Sequence, residues 1–314
     1  MLNTGDWIVP RIQGEPVFFR PPLQNWMIAV VGLCRGEVDA WAVRLPSQLA
    51  ILGMVILLYG YCRTFLSRAG ALACGLVFAT FGQVLELGRL GETESVFTFF
   101  LAGALLTWRW CVNARVNWWA TWGLSYALAA LATLTKGPQA PVYFCGSIWI
   151  FLVLSWDWKR LFSWAHLFGI VTALCVVALW QVPYALQMGW ETSFRVYFGD
   201  VGPIRFNSMS WKSVGAHMVS FPAELLFGSL LPWSLCLLAY ANKGFRASLG
   251  RAGTEAFFLA TCVAVTFPSV LPHPGASLRY YMPQPRFAGL VAIVLERGVF
   301  ARRPKSGKSG FSSF

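Results

Sequence analysis

Charge is what this sequence has least of. Only 12% of its 314 residues are Asp, Glu, Lys or Arg, against about 25% in an ordinary soluble domain. Imidazole is scarcer still, with His166, His217 and His273 as the whole supply, and no two of the eight cysteines stand in a CxxC pair. A structural zinc site and a disulfide framework are therefore not expected, and neither a metal nor a cofactor is assigned. Acidic residues number 13 against 25 Lys and Arg. That excess comes without a basic cluster interleaved with aromatics, so nucleic acid is not an expected partner. In an apolar chain the same excess reads as the positive-inside signal.

What fills the sequence instead is hydrophobic: 57% of residues, with a mean hydropathy of +0.57. Uncharged runs cover residues 45–62, 69–85, 117–135, 137–156, 161–190, 225–242 and 256–278. Runs of this length match the thickness of a bilayer core. The expected fold class is an all-α polytopic membrane protein. The pattern predicts about nine spans, at 43–62, 69–87, 94–109, 118–135, 139–156, 164–184, 221–241, 255–271 and 281–296. Residues 21–34 are too short to span comfortably and read as an interfacial helix, with Trp26 at headgroup level.

The connections between these spans alternate in character. One set is compact and basic: Arg63/Arg68, Arg109/Arg115, Lys159/Arg160, Lys243/Arg246/Arg251 and the tail from Arg297 onward. These are expected on the cytoplasmic side. The other set is longer or mixed in sign and is expected outside: residues 1–42, 86–94, the turn at Lys136, 185–220 and 272–280. Three parts follow, an extracytoplasmic segment (1–42), a transmembrane domain (43–296) and a polar basic tail (297–314) expected to be disordered. An amino terminus outside, with no span before it, leads to the expectation that a preceding span is missing from this chain.

Lys136 stands out because it is the sole charge in residues 116–156, in "LATLTKGPQAPVYF", with no acid near it in sequence. On the outer side no charge rule requires it. The same side collects Asp6, Arg11, Glu15 and Arg20, then "LELGRLGETES" with Glu86, Arg89, Glu92 and Glu94, then "SLRYYMPQPRF" with Arg279, Tyr280, Tyr281 and Arg286. Arg and Lys at a membrane surface suit phosphate recognition, and a carboxylate among them suits general-base work. Each residue also has a plain structural reading. Glu86 and Arg89 are spaced to pair on one helix face, Glu92 to sit in solvent, Glu94 to meet a helix dipole, and Arg20 and the tyrosines to anchor an interface.

Taken in order, "GDWIVPRIQGEPVFFRPPLQNWMIAV", "WAVRLPSQLA", "GRLGETES", "LATLTKGP", "LLPWSL" and "RYYMPQP" resemble the integral-membrane glycosyltransferases of the GT-C class. The likeness is to the branch shared by the lipid A aminoarabinose transferase and the protein O-mannosyltransferases, and it covers residues 5 to about 295. It implies a GT-C-type helical bundle in the plasma membrane with its site on the extracytoplasmic face. The implied reaction moves a sugar from a polyprenyl-phosphate carrier to a lipid or protein acceptor, or to another envelope glycan, without a nucleotide sugar. Arg20 stands where the family has a lysine before Pro-Pro, and Glu94 where its acid is more often Asp. Lys136 and the Arg279-Tyr280 pair match directly. Glu94 is thus the expected catalytic carboxylate, and Arg20, Arg89, Lys136, Arg279 and Tyr280 the expected substrate-binding set. The family's acidic motif after its first span, and the carboxyl-terminal domain of some members, have no counterpart here. Two other classes of function stand beside this one: a transporter or flippase of a lipid-linked anion, and a non-catalytic remnant of the transferase.

Overall fold

The computed structural model describes all residues except 3, 13, 17–19, 199–210, 270–278, 280–284 and 301–314. It is an all-α bundle. The helices are α1 (Leu23–Arg35), α2 (Ala40–Cys62), α3 (Arg68–Ala79), α4 (Gly82–Leu87), α5 (Thr93–Asn113), α6 (Trp118–Lys136) and α7 (Gln139–Leu154). They continue with α8 (Trp158–Leu161), α9 (Trp164–Met188), α10 (Trp190–Phe198), α11 (Trp211–Ala223), α12 (Lys243–Ala247), α13 (Arg251–Thr266) and α14 (Pro285–Leu295). A two-stranded hairpin, β1 (Arg11–Ile12) and β2 (Glu15–Pro16), pairs antiparallel near the amino terminus, with Arg11 opposite Pro16.

Capping residues start several of the helices. Asp39, Ser67, Asn117 and Ser163 each accept a backbone N–H from the first turn of α2, α3, α6 and α9. A cap of this kind stabilises a helix by about 1 kcal/mol.

α5 is the axis of the bundle. At roughly 1.5 Å per residue its length is about 31 Å, close to the hydrocarbon thickness of a bilayer. In its most apolar stretch 78% of residues are buried, against 17% for the 158–188 stretch that contains α9. α5 therefore packs inside the protein, on α2, α6 and α7, while most of the α9 surface is left for lipid. Trp108 anchors the packing. Its ring lies 5.6 Å from Trp122, 6.2 Å from Phe151 and 6.2 Å from Phe258, centroid to centroid.

Among the described residues, three helical stretches are long and apolar enough to cross a membrane: Ala40–Cys62, Thr93–Asn113 and Trp158–Met188. Two expected spans are broken. The 69–87 segment divides into α3 and α4 where Phe81 turns extended, and at that break Trp233 Nε1 donates to Thr80 Oγ1 at 2.9 Å. The 221–241 segment bends by 119° at Leu230–Pro232, between a π-helical turn (Glu224–Ser229) and a 3-10 helix (Trp233–Ala241). Proline, which lacks an N–H, cannot continue the ladder there.

The amino-terminal segment is tied down by two indoles. Trp26 Nε1 donates to the Trp7 carbonyl (2.7 Å) and Trp180 Nε1 to the Ile8 carbonyl (2.8 Å). Val9 is buried in a cluster with Leu134, Trp180 and Tyr184. Because Leu134 is in the last turn of α6, this cluster lays the segment across the Lys136 end of the bundle.

Candidate functional site

α5 and α6 are antiparallel neighbours, so the first turn of α5 faces the last turn of α6. Glu94 is in the one and Lys136 ends the other. Each charge complements its own helix dipole, negative at an amino end and positive at a carboxyl end. Their side chains meet: Lys136 Nζ donates to Glu94 Oε1 at 3.1 Å, with side-chain exposures of 6% and 0%. The Phe97 ring, one turn along α5, lies 5.5 Å from the ammonium. Gly137 ends α6 at φ 97°, ψ −154°, a region essentially closed to other residues, and Pro138 then leads into α7. The "KGP" triplet is a helix end that holds its cation at the last helical position.

A second cation reaches the same carboxylate through a hydroxyl. Arg20 Nη1 donates to Thr93 Oγ1 (2.7 Å), and Thr93 Oγ1 donates to Glu94 Oε2 (3.3 Å). The chain Arg20–Thr93–Glu94–Lys136 joins three segments far apart in sequence. Beside it Glu92, the residue before α5, lies 3.7 Å from Arg279 Nη1 with both side chains part-exposed. Ser47 of α2 donates to the Glu92 carbonyl at 3.1 Å and so fixes the entry to α5. Glu92 is thus an ion-pair partner and not a purely solvated loop residue.

Of the residues expected at the site, Arg20, Glu94 and Lys136 converge, and Arg279 joins them through Glu92. Arg89 does not. It is exposed on the turn after α4 and forms no ion pair among the described residues; the expected pairing with Glu86 fails because α4 stops at Leu87. Tyr280 and Tyr281 lie outside the described residues. Thr93 was missed by sequence reasoning, although its position beside Glu94 in "GETES" was the available signal.

The other end of α5 holds a second buried ion pair that sequence reasoning also missed. Arg109 Nε and Nη2 donate to Glu255 Oε2 and Oε1 at 3.0 and 2.7 Å. Tyr61 (2.5 Å) and Asn113 (3.0 Å) donate to the same carboxylate. Arg109 was expected in a cytoplasmic basic turn. It is buried because α13 brings Glu255 to it and the Phe151 and Phe258 rings flank its guanidinium, at 5.2 and 5.8 Å. Arg286 of α14 is also fully buried, 3.4 Å from the Cys262 carbonyl.

Known proteins share both the sequence pattern and the fold. Residues 19–181 match the family described as dolichyl-phosphate-mannose-protein mannosyltransferase. The chain belongs to that family. The matched segment contains Arg20, Thr93, Glu94 and Lys136, the whole of the buried chain at the α5–α6 end. Among similar proteins is an undecaprenyl phosphate-α-4-amino-4-deoxy-L-arabinose arabinosyl transferase of Pseudomonas paraeruginosa (strain DSM 24068 / PA7). It is 27% identical over 255 residues, which is 74% of this chain and 42% of that protein. A protein of the same name from Shewanella sediminis (strain HAW-EB3) is 26% identical over 99% of this chain and 56% of its own length. The crystal structure of ArnT from Cupriavidus metallidurans bound to undecaprenyl phosphate superposes with a TM-score of 0.76 at 18% identity, over 95% of this chain and 53% of that one. The family fold is therefore present, and the chain spans about half the length of the relatives it matches.

Proposed function

We propose that this chain forms the carrier-binding membrane part of a glycosyltransferase that moves a sugar from a polyprenyl-phosphate carrier to a lipid acceptor of the lipid A kind, or to a protein, at the extracytoplasmic face of the plasma membrane. The observation that carries this reading is the Arg20–Thr93–Glu94–Lys136 chain, which gathers two cations and one carboxylate at one end of the bundle. The names of the relatives, arabinosyl transferases acting from undecaprenyl phosphate, support the donor class, as does the ligand of the Cupriavidus structure.

In the proposed reaction Lys136, Arg20 and Arg279 hold the carrier phosphate. Arriving phosphate takes over the Lys136 ammonium from Glu94, and the released carboxylate accepts the proton of the acceptor hydroxyl. The acceptor oxygen bonds to the anomeric carbon as the carbon–oxygen bond to phosphate breaks, and the electron pair leaves on the carrier phosphate. Cations already in place stabilise that developing charge without reorganisation. Arg89, exposed on its turn, and Tyr280 belong to the same proposed substrate-binding set.

The finer topology belongs to the same proposal: about nine membrane crossings, α1 lying at the outer interface, residues 1–42 outside and the basic tail from 297 inside. The test is reconstitution of the chain in proteoliposomes with radiolabelled polyprenyl-phosphate sugar and a lipid acceptor. Covalent label in the acceptor is the expected result. Label that crosses the bilayer unconsumed identifies a transporter instead, and label that does neither identifies a non-catalytic remnant.

A further inference from the structure

The end of the bundle opposite Glu94 and Lys136 carries a second polar feature. α5 ends at Asn113 and α6 begins at Trp118, while α7 ends at Leu154 and α9 begins at Trp164. Two chain reversals therefore meet at that end, roughly 27 Å along α6 from Lys136. Between them opens a cavity of about 560 Å³, lined by Arg115, Arg160, Trp118, Trp119 and Trp164 among others.

The two arginines are held in different ways. Arg160 Nη1 pairs with Asp157 at 2.8 Å and its guanidinium lies 5.2 Å from the Trp118 ring. Its Nε is buried with no hydrogen-bond partner, an unusual state for a charged group. Arg115 is exposed and sits at φ 56°, in a turn closed by Val116 N–H donating to the Cys111 carbonyl at 2.9 Å. That conformation is disfavoured for a non-glycine residue, and the turn keeps Arg115 at the cavity lining instead of on the helix. Asn117 and Ser163, which cap α6 and α9, line the same cavity, so the positive ends of both helices add to its field. Asp157 is the acid paired there, against two arginines.

We propose that this cavity binds the phosphate headgroup of an anionic phospholipid, in the leaflet opposite the Glu94–Lys136 end. Arginine forks match phosphate oxygens bidentately, and a cavity of this size is ample for a headgroup and its glycerol. The aromatic lining points to a lipid and not to free phosphate. Trp118, Trp119 and Trp164 are exposed at the cavity, as are Trp156 and Trp158 on the neighbouring reversal. Tryptophans gathered at one helix end mark headgroup level, where basic pockets between helices meet lipid phosphate. This site is separate from the transfer reaction, and neither proposal depends on the other.

The test is native mass spectrometry of the detergent-purified chain titrated with phosphatidylglycerol or phosphatidylcholine. Wild type is expected to retain phosphatidylglycerol in preference to phosphatidylcholine. The Arg115→Gln/Arg160→Gln variant is expected to lose affinity for phosphatidylglycerol by roughly tenfold or more, with helix content unchanged by circular dichroism. The Arg115→Lys/Arg160→Lys variant should keep part of the preference, since the charge remains without the fork. Should the double variant misfold, Arg115→Gln alone, at an exposed turn, provides the same comparison. Equal retention of phosphatidylglycerol by wild type and variant overturns the proposal, as does equal retention of the two lipids by wild type. Displacement of phosphatidylglycerol by millimolar inorganic phosphate overturns the lipid assignment.

Discussion

Lys136 and Glu94 are 42 residues apart in the chain and 3.1 Å apart in the bundle, where neither side chain is more than 6% exposed. The ammonium that has no acid near it in sequence is given one by the antiparallel packing of α5 and α6.

Removing one member of this pair leaves an uncompensated buried charge. Lys136→Ala or Glu94→Ala alone should destabilise the protein by about 3–5 kcal/mol, whereas a Glu94→Gln/Lys136→Met double variant should recover much of that loss. Thermal melting of the detergent-solubilised chain checks this. Additive losses in the double variant argue against a direct pair.

In the transfer assay, Arg20→Ala should cost roughly tenfold to a hundredfold in rate, the loss of one charge-assisted hydrogen bond to phosphate. Arg20→Lys should restore part of it, since the charge returns without the fork. Wild-type turnover of Arg20→Ala would remove Arg20 from the proposed phosphate site.

Gly137→Ala tests the helix end that presents Lys136. A Cβ at φ 97° and ψ −154° should cost about 1–3 kcal/mol. The melting midpoint should fall accordingly, and Pro138 gives the chain little freedom to relax.

The Arg109–Glu255 pair should behave as a buried ion pair on its own. Glu255→Ala strands the guanidinium and leaves Tyr61 and Asn113 without their acceptor, so a loss of about 3–5 kcal/mol is expected. An Arg109→Met/Glu255→Leu double variant should melt closer to wild type than Glu255→Ala does.

Acid should loosen the amino-terminal segment. The Val9 backbone N–H holds the Asp6 carboxyl below its ordinary value, with the Ile8 N–H and Arg11 acting in the same direction and burial opposing them. A carboxyl lowered in the folded state adds stability that is present above its unfolded value, near pH 4. That stability is lost as pH falls through the lower folded value. Pepsin cleavage near residues 6–12 should rise over that interval in wild type and change less in Asp6→Asn.

Helical class, approximate helix positions and the likeness to the transferase family were all legible in the linear order of residues. The reason is physical: uncharged runs of bilayer length have one stable solution in lipid, a helix that satisfies its own backbone. The breaks at Phe81 and Pro232 were less legible, because an apolar run reads alike whether its helix continues or turns, and Pro46 and Pro183 sit inside helices that continue. Arg20, Glu94, Lys136 and Arg279 were identifiable as individuals from charge in an apolar setting. Arg89 was picked on the same grounds, and the fold leaves it exposed on the turn after α4, because exposure and burial look alike in sequence.

By itself, then, the sequence determined that this chain is a membrane helical bundle with its scarce charges gathered at the helix ends. Only the tertiary structure decided which charges meet. Lys136 took Glu94, Arg109 took Glu255 from 146 residues away, and Arg115 and Arg160 came to share one cavity. A charge can be recognised one residue at a time, but its partner is chosen by how helices pack. Burial makes that choice matter, because in a low-dielectric interior an unpaired charge is far too costly to leave alone.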